Sequence, residues 1–260
     1  MRFDDRNFTR RLEALDVGLF HAVTSQSTGD DRRAWLSIQR AIRRSSGYVY
    51  LEIGSHLGGS IQQHIVDPWC RTIVSIDKRP ETLPDDRGRV VRYEGNSTAR
   101  MLENLRGVAP DGMSKLRCHD ADASELDAAL IPERADFCFI DGEHTHAAVL
   151  SDFAACLRFS KPDAAICFHD AFVIHRALAA ILDSLREGGI AFDARKLGGS
   201  TFGVFLRNCP ARSDARVRAA SRDGMAWLRE RRLRDRVPKS LVPAARWVKQ
   251  RLERRAPAPA

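Results

Sequence analysis

Tyr48–Ser60 reads YVYLEIGSHLGGS, and its first half decides the fold. Tyr48, Val49, Tyr50, Leu51 and Ile53 are aromatic, β-branched or aliphatic, with only Glu52 interrupting. That is the composition of a strand buried on both faces of a parallel sheet. The strand runs into Gly54, Gly58 and Gly59, a bend where missing Cβ atoms let backbone N–H groups approach a ligand. Ser60 is placed to cap a helix over Ile61 to Val66. The spacing, Glu52-x-Gly54-x-x-x-Gly58-Gly59, departs from the G-x-G-x-x-G dinucleotide fingerprint, so a pyrophosphate is not the obvious guest of this cradle.

Downstream, a second apolar run, Thr72-Ile-Val-Ser-Ile76, ends in Asp77, placed to take two hydrogen bonds from an unphosphorylated ribose diol. Lys78 to Arg89 contains Pro80 and Pro84 and reads as a loop, Val90 to Tyr93 as a short extended piece, and Leu116 to Asp120 as a third core strand. Ala135-Asp-Phe-Cys-Phe-Ile-Asp141-Gly-Glu-His144 sets a strand, Phe137 to Ile140, before Asp141. Ala164 to Asp170 is a further strand ending in His169 and Asp170. The helix between them, Ala147 to Phe159, is apolar at helical spacing. Asp141 therefore stands at a strand's carboxyl end beside the glycine bend, where ligands of doubly wound sheets bind.

LEIGSHLGGS followed by VSID resembles the class I S-adenosylmethionine-dependent methyltransferases. FIDGEHTHAAVLSDF with LRFSKPDAAICFHDA resembles, more specifically, the subgroup that includes macrocin and other sugar O-methyltransferases, with catechol O-methyltransferase more distant. The resemblance covers about residues 48–207. It implies an α/β fold, a doubly wound, mostly parallel, seven-stranded sheet closed by an antiparallel pair near Ile190–Phe192 and Thr201–Leu206. It implies S-adenosylmethionine as cofactor, with Gly54, Ser55, Gly58 and Gly59 around its methionine end. Glu52 would support the loop or the methionine ammonium, Asp77 would hold the ribose, and Asp122 and Ala123, or Asp120 and Ala121, would meet the adenine. In the metal-dependent members an aspartate after the fourth strand and two consecutive oxygen-bearing residues after the fifth hold Mg²⁺. Asp141 and Asp170 match that pattern. His169 stands where an oxygen ligand is usual, and a histidine suits Mn²⁺ better.

The implied chemistry explains these residue types. Methyl transfer from a sulfonium is an in-line displacement that needs the acceptor oxygen close to the methyl carbon and its proton removed. Either a divalent cation on Asp141, His169 and Asp170 lowers the hydroxyl's pKa, or a base takes the proton, for which His144 and His169 are candidates beside Asp141.

The boundaries follow. Residues 1–47 read as a helical extension in which Asp30 or Asp31 caps a helix through Trp35 and Ile42. Residues 48–208 form the cofactor-binding domain, complete by Asn208, and residues 209–260 form a basic helical tail. Of the 42 Lys and Arg, 15 lie from Cys209 onward, with only 5 of the 34 Asp and Glu. The net charge of +8 thus belongs to the tail, and a basic groove over the body is not supported, which disfavours nucleic acid. Within the tail a helix over Arg212 to Arg236 is followed by a basic amphipathic helix over Leu241 to Arg255. The second suits docking on the body or on a twin subunit in a homo-oligomer, or peripheral contact with an anionic membrane. Six cysteines without a C-x-x-C pair read as reduced core residues, and a cytoplasmic location follows from the reducing compartment they imply and the missing signal core. The acceptor expected is a sugar, glycan or similar small metabolite. The alternatives are an RNA methyltransferase using the tail and a non-catalytic membrane- or partner-binding protein.

Overall fold

The computed structural model describes residues 5–236 apart from Ser45 and Pro132. In chain order the elements are α1 (Asp5–Glu13), α2 (Gly29–Ile42), β1 (Tyr48–Ile53), α3 (Gln62–Val66), β2 (Cys70–Ile76), β3 (Thr82–Pro84) and β4 (Val90–Arg92). There follow α4 (Thr98–Val108), β5 (Leu116–His119), β6 (Ala135–Ile140), α5 (His146–Phe159), β7 (Ser160–Phe168) and α6 (Ala171–Glu187). The chain continues through β8 (Phe192–Lys196), β9 (Phe202–Leu206), α7 (Pro210–Ser213), α8 (Ala215–Ala219), β10 (Arg222–Asp223) and α9 (Gly224–Arg236).

β1 is buried along its whole length and pairs in parallel with β2 on one side and β6 on the other. Its alternation builds both layers. Val49, Leu51 and Ile53 join the core under α5 and α6, while Tyr48 and Tyr50 join the core under α2, α3 and α4. The sheet order is β10-β8-β9-β7-β6-β1-β2-β5, with β5, β2, β1, β6 and β7 parallel. β9, β8 and β10 complete it in antiparallel steps. From β1 the chain adds strands outward through β2 to β5, then returns to add β6 and β7 on the other flank. The direction reverses between β1 and β6, and a crevice opens there at the carboxyl ends of the strands.

Several expectations are corrected. The sheet has eight strands, not seven, because the two-residue β10 pairs with β8. Accordingly it does not end by Asn208. Residues 209–236 break into α7, α8, β10 and α9 rather than one helix, and Ala211, Val217, Trp227 and Leu228 are buried against the body. The loop expected over Lys78 to Arg89 contains β3, paired antiparallel with β4 in a small separate sheet. Pro84 ends β3, where its missing N–H costs no ladder bond. Ser60 does not cap α3: its hydroxyl donates to Glu52, and the helix starts without a side-chain cap. α2 is capped by Thr28, whose side chain accepts from the Asp31 backbone while Asp31 answers in a capping box. The basic helix expected over Leu241 to Arg255 lies outside the described residues. All six cysteines are free, and no helix among the described residues is long and apolar enough to cross a membrane.

Candidate functional site

An open cleft of about 270 Å³ lies over the carboxyl ends of β5, β2, β1, β6 and β7. Its floor is the bend after β1. Gly54 has φ +87°, and a Cβ there would run into the Asp141–Gly142 peptide at 2.6 Å, so only glycine lets the bend and the end of β6 meet. Gly54, Ser55 and Gly59 line the cleft. Gly58 does not: it packs on α4, where a Cβ would come within 3.0 Å of Leu105 and 3.1 Å of Met101. Glu52 is also withdrawn from the cleft. It is fully buried, accepts from the Tyr50 hydroxyl at 2.8 Å and from Ser60, and so braces the bend rather than reaching a ligand. Burial pushes its carboxyl up to about 8 against those hydrogen bonds.

At the end of β2, Asp77 lines the cleft and accepts from the backbone N–H groups of His56 at 2.8 Å and Arg79 at 2.7 Å. An ionised carboxylate has about four acceptor positions, so lone pairs remain for a diol. Past β5 the expected pair divides. Ala123, with Ala121, lines the cleft, whereas the Asp122 carboxylate is engaged outside it by Lys78 at 2.8 Å and by the Ser124 N–H at 2.8 Å and hydroxyl at 2.6 Å. Lys78 and Ser124 hold that carboxyl down at about 2.

At the other end of the cleft, Asp141, His144 and Asp170 converge. One ligand-type atom from each lies within 4.8 Å of the other two. His144 Nε2 stands 3.4 Å from Asp141 and Nδ1 3.6 Å from Asp170. Burial works against its charge, but the two aspartates raise its pKa. Nε2 is buried and lacks a hydrogen-bond partner among the described residues. Asp170, at φ 49°, sits in the left-handed region just ahead of α6, a conformation that turns its side chain out of the β7 line.

His169 stands between Asp141 and Asp31. Its Nδ1 lies 3.2 Å from Asp141 Oδ1 and its Nε2 3.6 Å from Asp31 Oδ2. Burial opposes the charge, yet Asp141 and Asp31 raise its pKa to about 11. Both ring nitrogens stand against carboxylates. His144 makes the three-residue cluster with Asp141 and Asp170, and His169 Nδ1 stands beside it, 3.2 Å from Asp141 and 3.8 Å from Asp170.

Sequence reading missed Asp31 as a site residue. It is 1 % exposed, and besides Thr28 it accepts from the Ser200 N–H at 2.6 Å, tying the start of α2 and the β8–β9 turn to His169. As a helix cap it looked sufficiently explained by its own helix. Thr24, Ser25 and Gln26 from the N-terminal segment and Tyr93 after β4 also line the cleft, with no local pattern to announce them.

A family model described as a methyltransferase domain matches residues 51–171. No curated protein matches the chain. Among solved structures it is similar to a ribosomal protein L11 methylase from Lactobacillus delbrueckii subsp. bulgaricus, at 14 % identity and a TM-score of 0.46, covering 72 % of this chain and 82 % of that one. It is also similar to a putative O-methyltransferase from Klebsiella pneumoniae, at 12 % identity and 0.48, covering 75 % and 89 %. A third is the O-methyltransferase TomG from Streptomyces achromogenes, involved in tomaymycin synthesis and solved in complex with S-adenosylmethionine, at 15 % and 0.46, covering 79 % and 91 %. Likeness at these scores says nothing of the acceptor.

Proposed function

We propose that this class I S-adenosylmethionine-dependent methyltransferase moves the cofactor's methyl group to a hydroxyl of a sugar, glycan or similar small metabolite. The observation that carries the reading is the meeting of Asp141, His144 and Asp170 in the same cleft as the glycine bend and Asp77. A cofactor laid from the bend across Asp77 presents its methyl toward that cluster, and the cluster has the groups a hydroxyl acceptor needs.

The three side chains fit a divalent cation: two carboxylates and one imidazole nitrogen, with His144 Nε2 unpartnered among the described residues. That donor set suits Mn²⁺ as well as Mg²⁺. When bound, the ion lowers the pKa of the hydroxyl it touches and orients it. The protein's own part is positional. Asp141 Oδ1 is held from one side by His169, which itself stands 3.6 Å from Asp31. Where no cation is bound, His144, 3.4 Å from Asp141 and 3.6 Å from Asp170, is the group placed to take the acceptor's proton.

Peripheral contact with an anionic membrane through the basic residues beyond Arg236 would suit a lipid-linked acceptor; homo-oligomerisation through the same segment is the competing role. Labelled S-adenosylmethionine incubated with sugars, glycans and lipid-linked sugars, with and without chelator and added Mg²⁺ or Mn²⁺, tests the reading. Transfer to a hydroxyl acceptor, lost in Asp141→Asn and Asp170→Asn, is the expected result. Transfer only to RNA or protein would refute the acceptor class, and full activity of both variants in chelator would refute the metal.

A further inference from the structure

One carboxyl in the cleft wall has no hydrogen-bond partner among the described residues. Asp152 lies on α5 one turn beyond Ala148, so the two share a helix face, and both line the cleft. It is 6 % exposed and receives no hydrogen bond from any described residue. A carboxyl so largely withdrawn from water, with no hydrogen bond from the protein, is costly unless what enters the cleft supplies the missing bonds. Gly142, also in the wall, leaves it uncovered, since a Cβ there would come within 3.2 Å of Asp152 Oδ2.

Its position along the cleft says which part of the ligand it meets. The Asp141–His144–Asp170 cluster marks the end where the methyl reacts, the glycine bend follows β1 and Asp77 follows β2. A nucleoside whose ribose rests on Asp77 carries its base onward, to the end walled by Ala121, Ala123, Lys78 and Asp152. The two alanines leave room for a flat ring.

We propose that Asp152 reads the Watson–Crick edge of the cofactor's adenine, accepting a hydrogen bond from the 6-amino group at one oxygen and donating one to ring N1 from the other. The inference rests on this cleft holding S-adenosylmethionine. Burial raises the carboxyl to about 7, with Lys78 opposing the rise and Asp122 and Glu143 adding to it. Those are the charged groups that face it, from the loops after β2, β5 and β6. The neutral carboxyl has one donor and one acceptor, the complement of adenine's edge. The ionised form would set an oxygen lone pair against that of N1.

The test is calorimetric titration of S-adenosylhomocysteine into wild type, Asp152→Asn and Asp152→Ala at pH 6 and pH 8.5. Asparagine offers the same donor and acceptor as the neutral carboxyl at either pH. Wild type should bind about tenfold more weakly at pH 8.5 than at pH 6, as its carboxyl ionises. Asp152→Asn should stay within about threefold of the wild-type pH 6 value at both, and Asp152→Ala should be at least about tenfold weaker at pH 6. Wild-type affinity in Asp152→Ala at pH 6, or the wild-type pH dependence persisting in Asp152→Asn, overturns the assignment. Should Asp152→Ala fail to fold, the asparagine variant decides by itself. Wild type that binds nothing at either pH overturns the cofactor reading, and this inference with it.

Discussion

Asp77 and Gly54 show how single side chains divide support from recognition. Asp77 anchors the loop through the His56 and Arg79 N–H groups and still faces the cleft. Asp77→Ala should weaken cofactor binding by roughly 1–3 kcal/mol through the lost ribose hydrogen bonds, read by calorimetry; unchanged affinity would remove it from the site. Gly54 has no such latitude. With φ +87° and the Asp141–Gly142 peptide 2.6 Å from the place of a Cβ, Gly54→Ala has to push the end of β6 away from β1. A loss of about 2 kcal/mol or more in urea unfolding is expected, together with weakened cofactor binding, because the displaced residue is Asp141. A variant as stable as wild type would show that the strand ends are not held so closely. The glycine was legible in the sequence as a bend; the neighbour that makes it obligatory was not, since Asp141 comes from a strand far along the chain.

Among elements, β1 holds an acid where a buried strand should be wholly apolar, and the reason lies in the turn that follows it. Glu52 accepts from Tyr50 within the strand and from Ser60 beyond the bend, so the strand and the start of α3 move as one piece. Burial raises its pKa from 4.5 to about 8, above that of the unfolded chain. The stability contributed by the neutral carboxyl is therefore complete below about pH 4.5 and is lost as the pH rises through about 8. Urea unfolding should show stability falling between those limits, and Glu52→Gln, which keeps the neutral shape, should flatten the fall. An unaltered slope in the variant would assign the dependence to another group. α2 carries the opposite lesson. Its capping box is visible in sequence as Thr28 with Asp31 three residues on, but the same Asp31 reaches Ser200 and His169. A local role that is satisfied gives no sign of a second, distant one.

For the whole molecule, the question is where the body ends. A rise in positive charge after Cys209 suggested an appendage, yet Trp227 on α9 is buried against Phe202 and Phe172, and β10 extends the sheet. Trp227→Ala should cost about 3–5 kcal/mol in urea unfolding, the range for emptying a large aromatic site in a core. A cost under about 1 kcal/mol would return residues 209–236 to the status of a detachable tail. Surface charge misled here because arginines can coat the outer face of a helix whose other face is buried. What the chain's order of residues established without coordinates was the parallel core, the glycine bend, the acids at the ends of β2, β6 and β7, and with them a cofactor fold. Those features are written in short-range pattern: runs of apolar residues, glycine spacing, a polar residue at a strand's end. Which acids turn away from the cleft, that Asp152 lines it and that Asp31 reaches His169 behind it were decided by packing alone. Each depends on side chains from separate elements meeting in space, and on the burial and neighbouring charge that meeting creates, neither of which leaves a trace in local spacing.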